Sequence, residues 1–99
     1  MAIAYIEEYR DLALDSKGTP IGIPMVGEES SSQIVTFTTA VSSQTFRKGT
    51  RFVRIISDTA CHRKFGTSPT ALTGVSPKMA ANTYEYFGVR PGDKVSFVT

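Results

Sequence analysis

Apolar and polar residues alternate in short runs along this chain, and turn residues close each run. SQIVTFTTAV, Ser32 to Val41, is the clearest early run. Its β-branched residues Ile34, Val35, Thr36, Thr38, Thr39 and Val41 suit a pleated strand. Alternation sets Val35, Phe37 and Thr39 on one face and Ile34, Thr36 and Thr38 on the other. Four more strands are predicted in Thr50 to Thr99: TRFVRIIS, CHRKF, TYEYFGV and KVSFV. In TRFVRIIS, Phe52, Arg54 and Ile56 share one face, and Arg51, Val53 and Ile55 the other. Both faces are mixed, so this strand is expected to lie where a neighbouring subunit covers it, with arginine stems against apolar surface. TYEYFGV and KVSFV flank Arg90-Pro91-Gly92-Asp93, and the three together read as a hairpin. Phe46, in the connection Ser42 to Thr50, is expected to dip inward.

The first third is less regular. Ala2 to Leu14 reads as a strand, although Tyr5, Tyr9 and Leu12 also fall at helical spacing. DSKGT, Asp15 to Thr19, is a turn. Pro20 to Val26 holds two prolines and a glycine, which limits it to extended chain or an edge strand. Gly27 to Ser32 is a polar loop. Residues 1–32 are therefore expected to form an extended arm and edge strands. With GTSPTALTGVSPK as a long loop, the chain is predicted to be one all-β domain spanning 1–99: a single β-sandwich, jelly-roll-like, of about seven or eight short antiparallel strands.

The chain has 99 residues, enough for one core. No apolar run approaches the roughly 20 residues that span a bilayer, and the acidic start MAIAYIEEYRD is not expected to be a secretory signal. The net charge of +2 conceals an asymmetry. Residues 1–30 carry six acids and two bases, whereas 31–64 carry six bases (Arg47, Lys48, Arg51, Arg54, Arg63, Lys64) and one acid. The two regions either neutralise one another within one fold or pair with copies and partners.

Candidate chemistry is sparse. Cys61 and His62 are adjacent in a strand, so their side chains point to opposite faces and cannot act as nucleophile and base. One cysteine and one histidine do not supply the ligands of a zinc site. Glu7-Glu8 and Glu28-Glu29 read as solvated charge, and no glycine-rich phosphate loop is present. Neither an enzyme nor a cofactor is expected. A basic stretch interleaved with Phe46, Phe52 and Phe65 would suit a small barrel that binds single-stranded nucleic acid. The acidic amino-terminal region opposes this.

RFVRIISDTACHRKFGTSPTA (Arg51 to Ala71) and KMAANTYEYFGVRPGDKVSFV (Lys78 to Val98), after the opening EYRDLALDSKG, resemble small β-sandwich virion proteins of tailed bacteriophages, of the capsid decoration or cement type. The resemblance implies a subunit made in the host bacterial cytoplasm and placed on the capsid surface. There it would bridge major capsid protein subunits non-covalently, as a homotrimer, with no catalytic residue, no cofactor and no membrane contact. Apolar segments bearing Ile21, Ile23 and Met25 are expected to lie against the shell or a sister subunit. Arg47, Lys48, Arg51 and Arg54 are expected to pair with acidic patches on a partner. Another virion position (head–tail joining, tail or fibre attachment) remains an alternative, as does the nucleic-acid barrel.

Overall fold

Alternation governs the first strand. In β1 (Ala2–Tyr9), Ala2, Ala4, Ile6 and Glu8 are buried on one side, while Ile3, Tyr5 and Glu7 are partly or fully exposed on the other. The computed structural model describes residues 2–24 and 32–99, without the side chains of Ala13 and Ile23. The remaining strands are β2 (Leu12–Leu14), β3 (Pro20–Pro24), β4 (Ser32–Phe37), β5 (Val41–Ser42), β6 (Phe52–Ser57), β7 (Cys61–Gly66), β8 (Lys78–Met79), β9 (Tyr84–Gly88) and β10 (Lys94–Val98). The all-β expectation holds, with ten strands among the described residues where seven or eight were expected. Two of the ten, β5 and β8, have only two residues each.

The first sheet has the order β4-β1-β6-β9 and the second β5-β10-β7-β8, and every pairing is antiparallel. Both sheets contribute to one hydrophobic cluster: Ile6, Val35, Phe37, Val53 and Ile55 from the first, Cys61, Met79, Val95 and Phe97 from the second. The Phe37 and Phe97 rings stack across the gap with centroids 5.3 Å apart. Phe46 does dip inward and is buried. Arg63 also points inward, its guanidinium carbon 4.3 Å from the centre of the Phe87 ring and 5.7 Å from that of Phe65. It closes this end of the core by cation–π contact.

Three sequence expectations change. TYEYFGV and KVSFV are not a hairpin: β9 pairs with β6 in the first sheet, and β10 pairs with β7 and β5 in the second. The turn is as expected, with Gly92 at φ 89°, but it carries the chain from one sheet to the other. The Val89 N–H donates to the Arg51 carbonyl, and the Phe46 N–H donates to the Asp93 carbonyl. Backbone partners at the foot of β6 and in the β5–β6 loop therefore claim the two sides of the turn. Second, β6 is not mixed on both faces. Arg51 precedes the strand, and Val53, Ile55 and Ser57 form a wholly buried face. Third, residues 1–32 divide. β1 is an inner strand, bonded to β4 and to β6, and only the segment after it, β2 and β3, leaves the sheet.

That departing segment is a finger. β1 pairs with β4, and β2, which follows β1 after two residues, pairs among the described residues with β3 and with no other strand. The turn at its tip is built by Asp15, whose carboxylate accepts the Lys17 and Thr19 N–H groups at 2.8 and 2.9 Å, with Gly18 at φ 83°. These bonds, Thr19 first and then Lys17, hold the Asp15 carboxyl below the usual carboxylate range. The five residue steps from Tyr9 to Leu14 add up to about 17 Å at strand rise. The molecule accordingly measures 46 Å along its long axis against 26 and 23 Å across it.

Cys61 is 2% exposed, and burial pushes its thiol up. Thiolate is the reactive form, so a thiol reagent is expected to leave the native protein unlabelled and to label it fully in denaturant. Rapid labelling of the native protein would contradict this placement.

Candidate functional site

The outer faces of the two sheets differ. The second sheet is roofed by its own loop, residues 67–77. The Ala71 N–H donates to Ser96 Oγ at 2.9 Å, the Gly74 N–H to His62 Nε2 at 3.3 Å, and Ser42 Oγ to the Pro69 carbonyl at 3.2 Å. Ser96 and His62 are buried as a result. Cys61 lies in the core while His62 meets the roof, so the two point apart as expected. The tip of the roof leaves Leu72 and Val75 exposed.

No described residue roofs the first sheet. Its register aligns Ile34, Tyr5, Ile56 and Tyr84 side by side across all four strands: Tyr5 opposes Ile34 on β4 and Ile56 on β6, and Ile56 opposes Tyr84 on β9. Ile34 is 65% exposed, Tyr84 55% and Tyr5 46%. The next row holds Glu7, Arg54 and Tyr86, and the third holds Tyr9 and Phe52. The rings form a continuous set, with Tyr9–Phe52 centroids 5.2 Å apart, Tyr9–Tyr86 6.4 Å and Tyr84–Tyr86 6.0 Å. Arg54 anchors it: its guanidinium lies 5.2 Å from the centre of the Tyr84 ring and 3.6 Å from the Glu7 carboxylate. Tyrosine- and arginine-rich apolar surface of this kind is the composition that protein interfaces favour.

Tyr9 donates its hydroxyl hydrogen bond to the Glu7 carboxylate. Burial, and next the Glu7 hydrogen bond and charge, push its pKa up to about 12 from 10.0. The folded state thus favours the neutral phenol. That stabilisation is complete below pH 10 and is lost as pH rises through about 12. Thermal melting across this window is expected to show a fall in stability that Tyr9→Phe lacks; an equal fall in the variant would refute the assignment.

The sequence-predicted contact residues do not form one cluster. Arg54 belongs to the aromatic face, half-buried and paired with Glu7. Arg47 and Lys48 are exposed on the loop between β5 and β6, and Arg51 is exposed at the foot of β6. Ile21 is exposed on the finger. Ile23 lies in β3 but its side chain, together with Met25, Glu28 and Glu29, falls outside the described residues.

Sequence reasoning missed two features. Glu8 is not solvated charge but buried, whereas Glu7, paired with Arg54, keeps 44% of its side chain exposed. Glu8 Oε1 accepts the Arg47 N–H and the Thr50 hydroxyl, both at 2.7 Å, and Oε2 accepts from Gln33 Nε2 at 3.2 Å. Parity in β1 was an available signal, since Glu8 follows Ala4 and Ile6 on the inward side. The other is the apolar character of the finger. Leu12 opposes Pro24 and Leu14 opposes Pro20, with a register shift between the two pairs. Leu14 is 55% exposed.

A cleft of about 400 Å³ between β4 and β5 is lined by residues 32–36 and 41–44, none of them titratable. Among the described residues no group of three or more His, Cys, Asp or Glu is placed to hold a metal ion. No family model, no curated protein and no solved structure matches this chain.

Proposed function

We propose that this chain is a structural subunit of a tailed-bacteriophage virion, which decorates the capsid and stabilises it by bridging major capsid protein subunits without covalent bonds. One observation carries the reading: among the described residues, a body with one shared core leaves three separate surfaces uncovered. These are the aromatic face of the first sheet, the finger, and the Leu72–Val75 tip of the roof. A bridging subunit needs several contacts on different neighbours, and avidity lets each of them be modest. Arg47, Lys48 and Arg51 add exposed positive charge, which suits acidic patches on a shell. In this reading the protein works as a homo-oligomer on the capsid surface, after synthesis in the host cytoplasm, and carries out no catalysis.

Binding of single-stranded nucleic acid is supported less well. Stacking platforms work beside a basic groove that follows the backbone. Here the one cation on the aromatic face, Arg54, is paired with Glu7. Arg63 is turned inward with its Nε buried, and Lys64 shares the roofed side of the second sheet with Ser96.

Purified protein mixed with empty, expanded capsids is expected to co-sediment at low salt. Absence from the capsid pellet would sink the proposal. Retention on a single-stranded DNA column, falling steeply as salt rises, would move the assignment to nucleic acid.

A further inference from the structure

We infer that Arg10 and Arg90 join Arg47, Lys48 and Arg51 in one anion-binding end of the molecule, and that its partner is an acidic protein surface. The inference rests on the capsid reading of the three loop cations for its partner. It adds two residues that lie far from them in sequence.

Backbone bonds gather these cations. Arg10 follows the last residue of β1, Arg51 precedes β6, and Arg90 lies two residues beyond β9. The Arg51 N–H donates to the Tyr9 carbonyl at 2.9 Å, and the Val89 N–H donates to the Arg51 carbonyl at 2.9 Å. The three arginines therefore stand at one end of three neighbouring strands, spaced about 4.8 Å apart. The Thr50 N–H closes a turn on the Arg47 carbonyl at 3.0 Å, with Lys48 and Gly49 at its corner. Arg10 reaches this turn. A Cβ added to Gly49 would lie 2.6 Å from Arg10 Nη2 and 2.8 Å from Arg10 Nε, so the guanidinium rests on the bare Gly49 backbone. Gly49 is not at a positive φ. Its missing side chain instead makes room for Arg10.

All five cations are exposed. Among the described residues the only ion pair that any of them makes is Arg90 with Asp93 at 3.5 Å, and the Arg90 side chain is still 85% exposed. Like charges held side by side repel, and an anionic partner relieves that repulsion. The acids of this end decide the kind of anion. Glu8 and Asp93 are buried and turned to the loop and to Arg90, while Asp11, next in sequence to Arg10, is exposed. A nucleic-acid backbone carries a charge every few ångströms and would run past Asp11 against its repulsion. A protein surface with discrete carboxylates can set each one against a guanidinium and leave Asp11 clear.

Two charge reversals of equal size test the inference. Arg10→Glu is expected to weaken co-sedimentation with empty, expanded capsids about 10-fold, because it replaces an attraction by a repulsion. Lys64→Glu, exposed on the second sheet, is expected to leave it unchanged. Gly49→Ala keeps every charge but displaces the Arg10 guanidinium, and a loss of about threefold is expected, the size of one exposed ion pair. Urea unfolding checks that the variants fold. A column of immobilised poly-glutamate repeats the comparison without capsids, and Arg10→Glu should elute at lower salt than Lys64→Glu. Capsid binding that Arg10→Glu retains in full overturns the inference and leaves the decoration reading standing. If wild type does not bind capsids, the decoration reading fails and the column decides the patch by itself: equal elution of the two reversals overturns it. Tighter retention on single-stranded DNA than on poly-glutamate, lost in Arg10→Glu, overturns the protein partner in favour of phosphate.

Discussion

Phe97→Ala is expected to lower the stability of the fold by about 3–5 kcal/mol, the range for truncating a fully buried aromatic side chain. Phe97, the fourth residue of β10, is 0% exposed, and its ring stacks on Phe37 of the facing sheet at 5.3 Å and 24°. Alanine forfeits the burial of the ring and also opens a cavity between two sheets that strand pairing holds apart, so the walls relax only in part. Domains of this size have a total stability of about 5–15 kcal/mol, and this one substitution brings the chain near the threshold of folding. Urea unfolding should show a large fall in midpoint. Phe97→Leu keeps most of the volume and should cost about 1.5 kcal/mol or less. Phe37→Ala should cost less in the Phe97→Ala background than alone, because the stacked pair is already gone. Strict additivity of the two would show that the rings do not share one contact.

Phe97 was legible from sequence, and the reason is local. Val95 and Phe97 alternate with polar neighbours in a run of strand-forming residues, and a two-residue period assigns them inward whatever the strand pairs with. Alternation also grouped Val35 with Phe37 and Val53 with Ile55, but Arg51 and Arg54 made both faces of β6 read as mixed, so its core face was not assigned. Pairing was not, because it is decided by residues distant in sequence. RPGD makes the same tight turn whether the next strand returns along its neighbour or crosses to the opposite sheet. The inner position of β1 likewise depends on β4 and β6, which lie some 30 and 50 residues away.

The candidate site is non-local in the same sense. Tyr84 and Tyr86 could be placed on one face from their spacing, and Arg54 on one face with Phe52 and Ile56. That Tyr5, Ile34, Ile56 and Tyr84 stand in a row depends on the register of three strand pairs. That the row stays uncovered depends on the 67–77 loop choosing the other sheet, where Ser96 and His62 receive it. The basic stretch was legible as composition, but its members separate in space. Arg63 turns into the core, Arg54 pairs with Glu7, and Arg47 and Lys48 stay on a loop.

That loop depends on Glu8, which makes Glu8→Ala the second large effect. The carboxylate is 4% exposed and takes three hydrogen bonds, two of them from the Arg47 N–H and the Thr50 hydroxyl on the loop. Alanine leaves these donors facing a small void, and each buried donor left unpaired costs about 1–3 kcal/mol. With partial recovery by water, a loss of about 2–4 kcal/mol is expected, large for a residue that reads as surface charge. Glu8→Gln separates the causes. Its carbonyl oxygen can still accept from Arg47 and Thr50, but its amide nitrogen then meets the Gln33 amide nitrogen, which is also a donor. Gln33 cannot simply flip, because its own oxygen accepts the Gln44 N–H at 3.0 Å. Glutamine should therefore fall between wild type and alanine in urea unfolding. Amide exchange at Arg47 should accelerate in both variants, and more in alanine. If Glu8→Ala unfolds within about 0.5 kcal/mol of wild type, the size of an ordinary surface substitution, the carboxylate is not what holds the loop.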